Sequence, residues 1–361
     1  MTTIAYFISS HGYGHASRAA AVMQAMYDLE PTIHFEIFSQ IPAWLFTDTL
    51  PPIFTHHPIL TDIGVAQPSS LVEDLPETHR QLAEFLPFDT ALVQRLATQI
   101  KHCNMVICDI APLGIAVASA AGVPSMLIEN FTWDWIYEGY LSAEPRLAQH
   151  IDYLREIFAQ ADYHVQSEPI CHYRQADLMT PPISRPIKMT AMQTRQQLGL
   201  PDEAKMVLLT MGGVAQNWPN LAAKLHLENL YLVLAGQMET ERRGQVIYLG
   251  KSSGFYHPDL INASDAVIGK VGYSTLAEIY QAGVPYGYIA RPRFRESAPL
   301  VAFIEQHMVG LPISEAEFMA GQWPKQLVRL LAMPRKIHPN LNGALAVAEF
   351  VTRKIYQWIW G

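Results

Sequence analysis

Cysteine is scarce in this sequence. Cys103, Cys108 and Cys171 are the only three in 361 residues. They form neither a metal-ligand spacing nor an even set for a disulfide framework, so a reducing, cytoplasmic setting is expected. Charge is sparse as well, at 16% of residues with a formal net charge of −8. That balance offers no global attraction to nucleic acid, and no basic run supplies a local one. No apolar stretch reaches the roughly 20 residues that a membrane span needs. The first residues lack the basic segment and small-residue cleavage pattern of a signal peptide. What is plentiful is apolar material, half of all residues, enough to fill two cores of ordinary size and to exclude disorder.

Short β-branched and aromatic runs alternate with longer helical patterns. TIAYFIS, HFEIFS, MVICDI, SMLIEN, MVLLTM and YLVLAG read as strands. Between the first two, Ala19, Val22, Met23 and Met26 recur at helical spacing. Such alternation predicts parallel sheets covered on both faces. It occurs twice, before and after the proline-rich MTPPISRPIKMT, which reads as an extended linker. The expected fold is α/β: two Rossmann-like domains, 1–185 and 190–340, facing across a cleft with ligands at the carboxyl ends of the strands. The final segment, with Trp358 and Trp360 beside Arg353 and Lys354, is expected as a helix within 341–361 that packs back on the first domain. Peripheral membrane contact is the alternative for that helix.

The turn HGYGHASR follows the first strand. Glycine there lets backbone approach a ligand, and the helix behind it offers N–H groups to an anion. The turn is a poor dinucleotide fingerprint: Ser17 stands at the third glycine, and the next strand ends in Ser39-Gln40 rather than an acidic residue. No cysteine or carboxylate cluster accompanies His11 and His15, so no metal is expected. His15 is a candidate general base, and Asp109, at the end of MVICDI, is the candidate to orient it. The alternative is that Asp109 caps a turn and His15 packs. His11, Gly14 and Arg18 are further candidates for sugar or acceptor contact.

A second glycine segment, AVIGKVGYSTLAEIYQAGVP, joins a strand to a helix near Ser274. Gly272 allows close backbone approach, while Tyr273, Ser274 and Thr275 open the helix. Lys270 adds a positive charge, and Glu278 lies one turn on. These are parts of a diphosphate and ribose cradle, with an ordinary helix cap as the alternative. Gly212 and Gly213, in TMGGVAQ, open the same domain and are candidates for the same phosphates. After a strand end in the first domain, NFTWDWIYEGY offers Trp133 and Asp134 as a platform for a sugar ring, though buried packing is the commoner use of such aromatics.

GKVGYSTLAEIYQAGVP resembles the donor-binding signature of GT-B glycosyltransferases, particularly the lipid-II N-acetylglucosaminyltransferase type, in its Gly272, Thr275 and Glu278 spacing. The resemblance implies a loop that holds the nucleotide diphosphate and a glutamate that binds ribose. It also places His15 at an acceptor-side catalytic histidine and Asp109 at the aspartate paired with it in plant-type transferases. HGYGHASR, VICDIAPLGIAVASAAGVP and RPRFRESAPL further resemble the N-terminal, glycosyltransferase-like half of plant L-arabinokinases. The separate kinase domain of those proteins has no counterpart in these residues, so kinase activity is not expected. The sugar-reading Asp and Gln of the lipid-II type are replaced by RPRFRESAP, leaving Arg293, Arg295 and Glu296 as candidates. The resemblance implies inverting, metal-independent transfer of a sugar from a nucleoside-diphosphate sugar, UDP favoured, to a hydroxyl acceptor. The nucleotide sugar is then a substrate and no cofactor is required. A nucleotide-sugar epimerase or hydrolase and a non-catalytic binding module are the competing expectations.

Overall fold

The computed structural model describes residues 2–68, 72–211, 229–250, 252–338 and 342–360, with the side chains of 359 and 360 excepted. Gly212 and Gly213 lie outside the described residues. The chain divides into two compact units, Met1–Ser184 with Asn342–Gly361, and Arg185–Leu341. Each contains one seven-stranded sheet, in keeping with the α/β class expected from the alternation of strands and helices.

The first unit contributes β1 (Thr3–Ile8), β2 (His34–Phe38), β3 (Phe54–His57), β4 (Met105–Asp109), β5 (Ser125–Glu129), β6 (Tyr163–Ser167) and β7 (Leu178–Thr180). Their order is β3-β2-β1-β4-β5-β6-β7, with every neighbouring pair parallel. Residues 4–8 and all of β4 and β5 are buried. Strands covered on both faces become continuous apolar runs rather than alternating ones. The chain order reverses between β1 and β4, and ligands of such sheets bind outside the carboxyl ends at that point. Ile8 lies opposite Asp109 there, and the Ser9 N–H donates to the Asp109 carbonyl at 3.1 Å.

Helix Tyr13–Leu29 follows β1 and is buried along most of its length, through Ala16, Ala19, Ala20, Val22, Met23 and Met26. Two layers enclose it. One is the sheet; the other is helix Gly343–Trp360, whose Val347, Ala348, Phe350, Val351 and Ile355 join the same core. The alanines allow close approach, and each larger buried side chain contributes about 1.5–3 kcal/mol. Trp358 is exposed, and the Trp360 side chain lies outside the described residues. Among those residues no helix is long and apolar enough to cross a membrane.

The second unit contributes β8 (Lys205–Thr210), β9 (Leu230–Gln237), β10 (Glu241–Arg243), β11 (Val246–Gly250), β12 (Ala266–Lys270), β13 (Tyr286–Ile289) and β14 (Gly310–Pro312). Their order is β10-β11-β9-β8-β12-β13-β14, with only the β10–β11 edge pair antiparallel. Its order reverses between β8 and β12, which end at Thr210 and Lys270. Separate apolar clusters cover its two faces. The linker expected at 179–190 ends in Thr190, which caps helix Ala191–Gln197 in a reciprocal arrangement with Gln193.

Candidate functional site

Each unit places polar side chains at its switch point. In the first, Gly12 precedes helix Tyr13–Leu29 at φ 76°, a left-handed conformation that favours glycine. No side chain caps that helix start. His15, in the first turn, is 7% exposed and directs Nδ1 to Asp109 Oδ1 at 2.9 Å. With Nδ1 donating to the carboxylate, Nε2 is left to accept a proton.

Arg18 departs from its expected role as a ligand contact. It is 1% exposed, and its guanidinium grips Asp109 with Nε to Oδ2 at 2.8 Å and Nη2 to Oδ1 at 2.6 Å. Its Nη1 donates to Asn130 Oδ1 at 2.8 Å. Lying three residues after His15 on one helical face, it reaches the same carboxylate from the side. Burial alone would raise the Asp109 carboxyl, but the charge and hydrogen bonds of Arg18, then those of His15, hold it below its ordinary value.

Aromatic rings enclose this dyad. His15 meets Phe131 edge-on at 5.9 Å and tilts against Trp133 at 6.4 Å, while His11 packs edge-on to Trp133 at 5.1 Å. The proposed sugar platform is corrected here. Trp133 is 1% exposed and donates Nε1–H to Asp62 Oδ2 at 2.8 Å, so its ring forms wall rather than surface. Asp134 is fully buried and takes Arg174 Nη2 at 3.1 Å. Gly14, in the first turn of the helix, remains partly exposed.

In the second unit, Gly272 is the N-cap of helix Tyr273–Ala282, in ordinary extended backbone at φ −163°. A Cβ there would meet nothing within 4 Å among the described residues, so none of their groups requires glycine at this position. No side chain caps this helix start, and no acidic residue lies in its first turn. Ser274 is partly exposed, whereas Thr275 and Tyr273 are buried, so Tyr273 offers backbone more readily than side chain. Lys270 is partly buried beside this terminus. Burial, then the charge of Arg291, pushes its ammonium down to about 8, against a weaker pull from Glu296. Arg291 is itself buried, with its guanidinium 4.2 Å from the Phe294 ring centroid and Nη2 4.0 Å from Glu296. Glu296 is buried, Arg295 partly so, and Arg293 exposed.

Glu278 is 4% exposed and already engaged. Arg185 Nε donates to Oε1 at 2.8 Å, and His257 Nδ1 meets Oε2 at 2.7 Å. His257 Nε2 continues to Thr210 Oγ1 at 3.2 Å. Burial opposes ionisation of Glu278, and the charge of Arg185 with the hydrogen bonds of both partners outweighs it and holds the carboxyl low. Sequence reasoning missed Arg185, His257, Thr210, Arg291, Asn130 and Asp62. Of these, Thr210, Asn130 and Arg291 carried a local signal, lying at or just beyond the carboxyl ends of β8, β5 and β13.

No family model matches this sequence. It is similar to the L-arabinokinase of Arabidopsis thaliana, 26% identical over 360 residues, which cover 96% of this chain and 34% of that protein. The chain thus spans about a third of the length of the curated relative it matches. Among solved structures it is similar to the calicheamicin glycosyltransferase CalG4, at TM-score 0.64 and 11% identity over 99% of this chain and 98% of that one. It is also similar to Medicago truncatula UGT71G1 complexed with UDP-glucose, at TM-score 0.63 and 12% identity, covering 98% of each chain. A third is the glycosyltransferase VinC in complex with dTDP, at TM-score 0.60 and 14% identity, covering 99% of this chain and 95% of that one. At such low identity these likenesses establish the fold, GT-B, and carry no residue roles.

Proposed function

We propose that this protein is an inverting glycosyltransferase that takes its sugar from a nucleoside-diphosphate sugar, a UDP-sugar in preference, and passes it to a hydroxyl acceptor. The observation that carries this reading is the His15–Asp109 pair at a switch point, with Nδ1 held by a buried carboxylate and Nε2 left as base. His15 Nε2 takes the acceptor proton as the acceptor oxygen attacks the anomeric carbon. The bond from that carbon to the diphosphate oxygen breaks, and the nucleoside diphosphate leaves with the electron pair.

The donor belongs to the second unit. Its diphosphate sits over Gly272 at the uncapped start of helix Tyr273–Ala282, with Ser274, Thr275 and the Lys270 ammonium adding donors. Gly212 and Gly213 keep the phosphate role expected of them. Glu278 takes the ribose hydroxyls: each carboxylate oxygen accepts more than one hydrogen bond, so Arg185 and His257 hold it ionised and oriented. The helix terminus, Lys270 and Arg291 meet the leaving group's charge without a metal or cofactor. Arg295 and Glu296 are assigned to read the sugar.

Glu278's engagement by Arg185 and His257 favours a second reading, a binding module without turnover. A thermal-shift screen against nucleoside diphosphates and nucleotide sugars, followed by assays for sugar transfer and for free sugar without acceptor, separates the readings. A specific rise in melting temperature with transfer supports the enzyme. The same rise without turnover supports the module, and free sugar or an epimer without acceptor supports donor-only chemistry. A flat response to every nucleotide refutes all three.

A further inference from the structure

The His15–Asp109 pair is electrostatically incomplete as a base. An aspartate beside a histidine ordinarily supplies the negative charge that stabilises the imidazolium. Here Arg18 already neutralises Asp109 through two hydrogen bonds. Arg18 Nη2 also lies 3.4 Å from His15 Nδ1, close enough to oppose a second positive charge. The other groups near Asp109 supply no anion: burial raises both the Tyr6 hydroxyl and the Cys108 thiol and keeps them neutral. Asn130 is uncharged. Proton transfer to His15 therefore creates a buried net positive charge unless another carboxylate answers it.

Asp62 is that carboxylate. It is 3% exposed and lies on the loop after β3, strapped across the end of β1 by Thr61 Oγ1 to the Ile8 carbonyl at 2.8 Å. Trp133, whose ring also packs against both histidines, donates to Oδ2. Its other oxygen, Oδ1, has no hydrogen-bond partner among the described residues. The groups facing it are the Ser9 side chain, the Ser10 backbone, Trp133, Tyr137 and the charge of His15. None of these is a permanent cation.

We propose that Asp62 is the counter-charge for His15, a positioning residue that balances the imidazolium formed when the acceptor is deprotonated. The proposal rests on His15 acting as the base. Burial raises the Asp62 carboxyl on balance, opposed by hydrogen bonding from Ser9 and Trp133 and then by the charge of His15. Asp62 touches neither substrate nor the transferred proton. It acts through the field.

Carbon-13 NMR of the Asp62 carboxyl across pH, in the unaltered protein and in His15→Gln, tests the coupling without reference to turnover. The expected result is a midpoint higher by about one pH unit in His15→Gln; an unchanged midpoint overturns the proposal. Asp62→Asn keeps an oxygen for Trp133 and should fold. It should lower turnover at least tenfold while nucleotide affinity is retained. Full turnover by Asp62→Asn, where His15→Ala is silent, also overturns the proposal. Undiminished turnover by His15→Ala faults the base assignment instead, and the NMR midpoint then decides whether the charges are paired.

Discussion

Replacing Arg18 by methionine keeps most of the side-chain volume and removes the guanidinium. Two hydrogen bonds to Asp109 and one to Asn130 disappear, leaving a fully buried carboxylate with His15 alone. Breaking a buried pair in this way costs about 3–5 kcal/mol. For a unit of this size, at about 2–4 °C per kcal/mol, melting should fall by about 6–20 °C. In the unaltered protein Asp109 is held below 3.8, so its contribution is present above that value and is lost as pH falls through the depressed one. Without Arg18, burial dominates and the folded carboxyl rises above 3.8. Stability then falls as pH climbs through that window, and the deficit should be larger at pH 7 than at pH 4.5. Adding Asp109→Asn should recover most of the loss. Scanning calorimetry of the single and double variants at both pH values checks this. A loss under about 1 kcal/mol, or a double variant no better than the single, refutes the charge-pair reasoning.

Gly272→Val should leave stability within about 1 kcal/mol, because its backbone is extended and a Cβ there meets nothing among the described residues; nucleotide affinity by calorimetry should nevertheless fall at least about tenfold. Lys270, pushed down to about 8, is charged below that pH and neutral above it. Diphosphate affinity should therefore weaken as pH rises through about 8, and Lys270→Arg, always charged, should abolish that dependence. Glu278→Gln should weaken nucleotide binding about 10–100-fold, as expected for a lost hydrogen bond to a charged group, and should narrow the preference for ribose over 2′-deoxyribose, read by competition titration. Trp133→Phe strands Asp62 Oδ2 and should cost about 1–3 kcal/mol in denaturant unfolding.

Much of the scaffold was legible because its strands are doubly covered and read as unbroken apolar runs, as in β1, β4, β5 and β8. Short or edge strands such as β3, β10 and β14 carry too few residues for a period to show. The pairing of His15 and Asp109 was legible because Asp109 ends a strand and His15 opens the helix after its neighbouring strand, both at the same edge of a parallel sheet. Arg18 was visible, but its role was not: helical spacing puts it beside His15 without revealing that it faces the carboxylate rather than a ligand. Asp62 is 71 residues from its partner Trp133, and Arg185 is 93 from Glu278. Such pairings depend on loop paths that no local pattern encodes. Trp133 and Asp134 are buried, the packing use named beside the platform one; an aromatic run reads alike as either until burial is known.

The most direct test of the central claim is nucleoside diphosphate release from a panel of UDP-sugars with a hydroxyl-acceptor library, comparing the unaltered protein with His15→Ala. The account predicts acceptor-dependent release that falls by about 10²–10⁴-fold in His15→Ala, with nucleotide affinity unchanged. Equal release by the two proteins, or a nucleotide affinity lost together with the turnover, would contradict it.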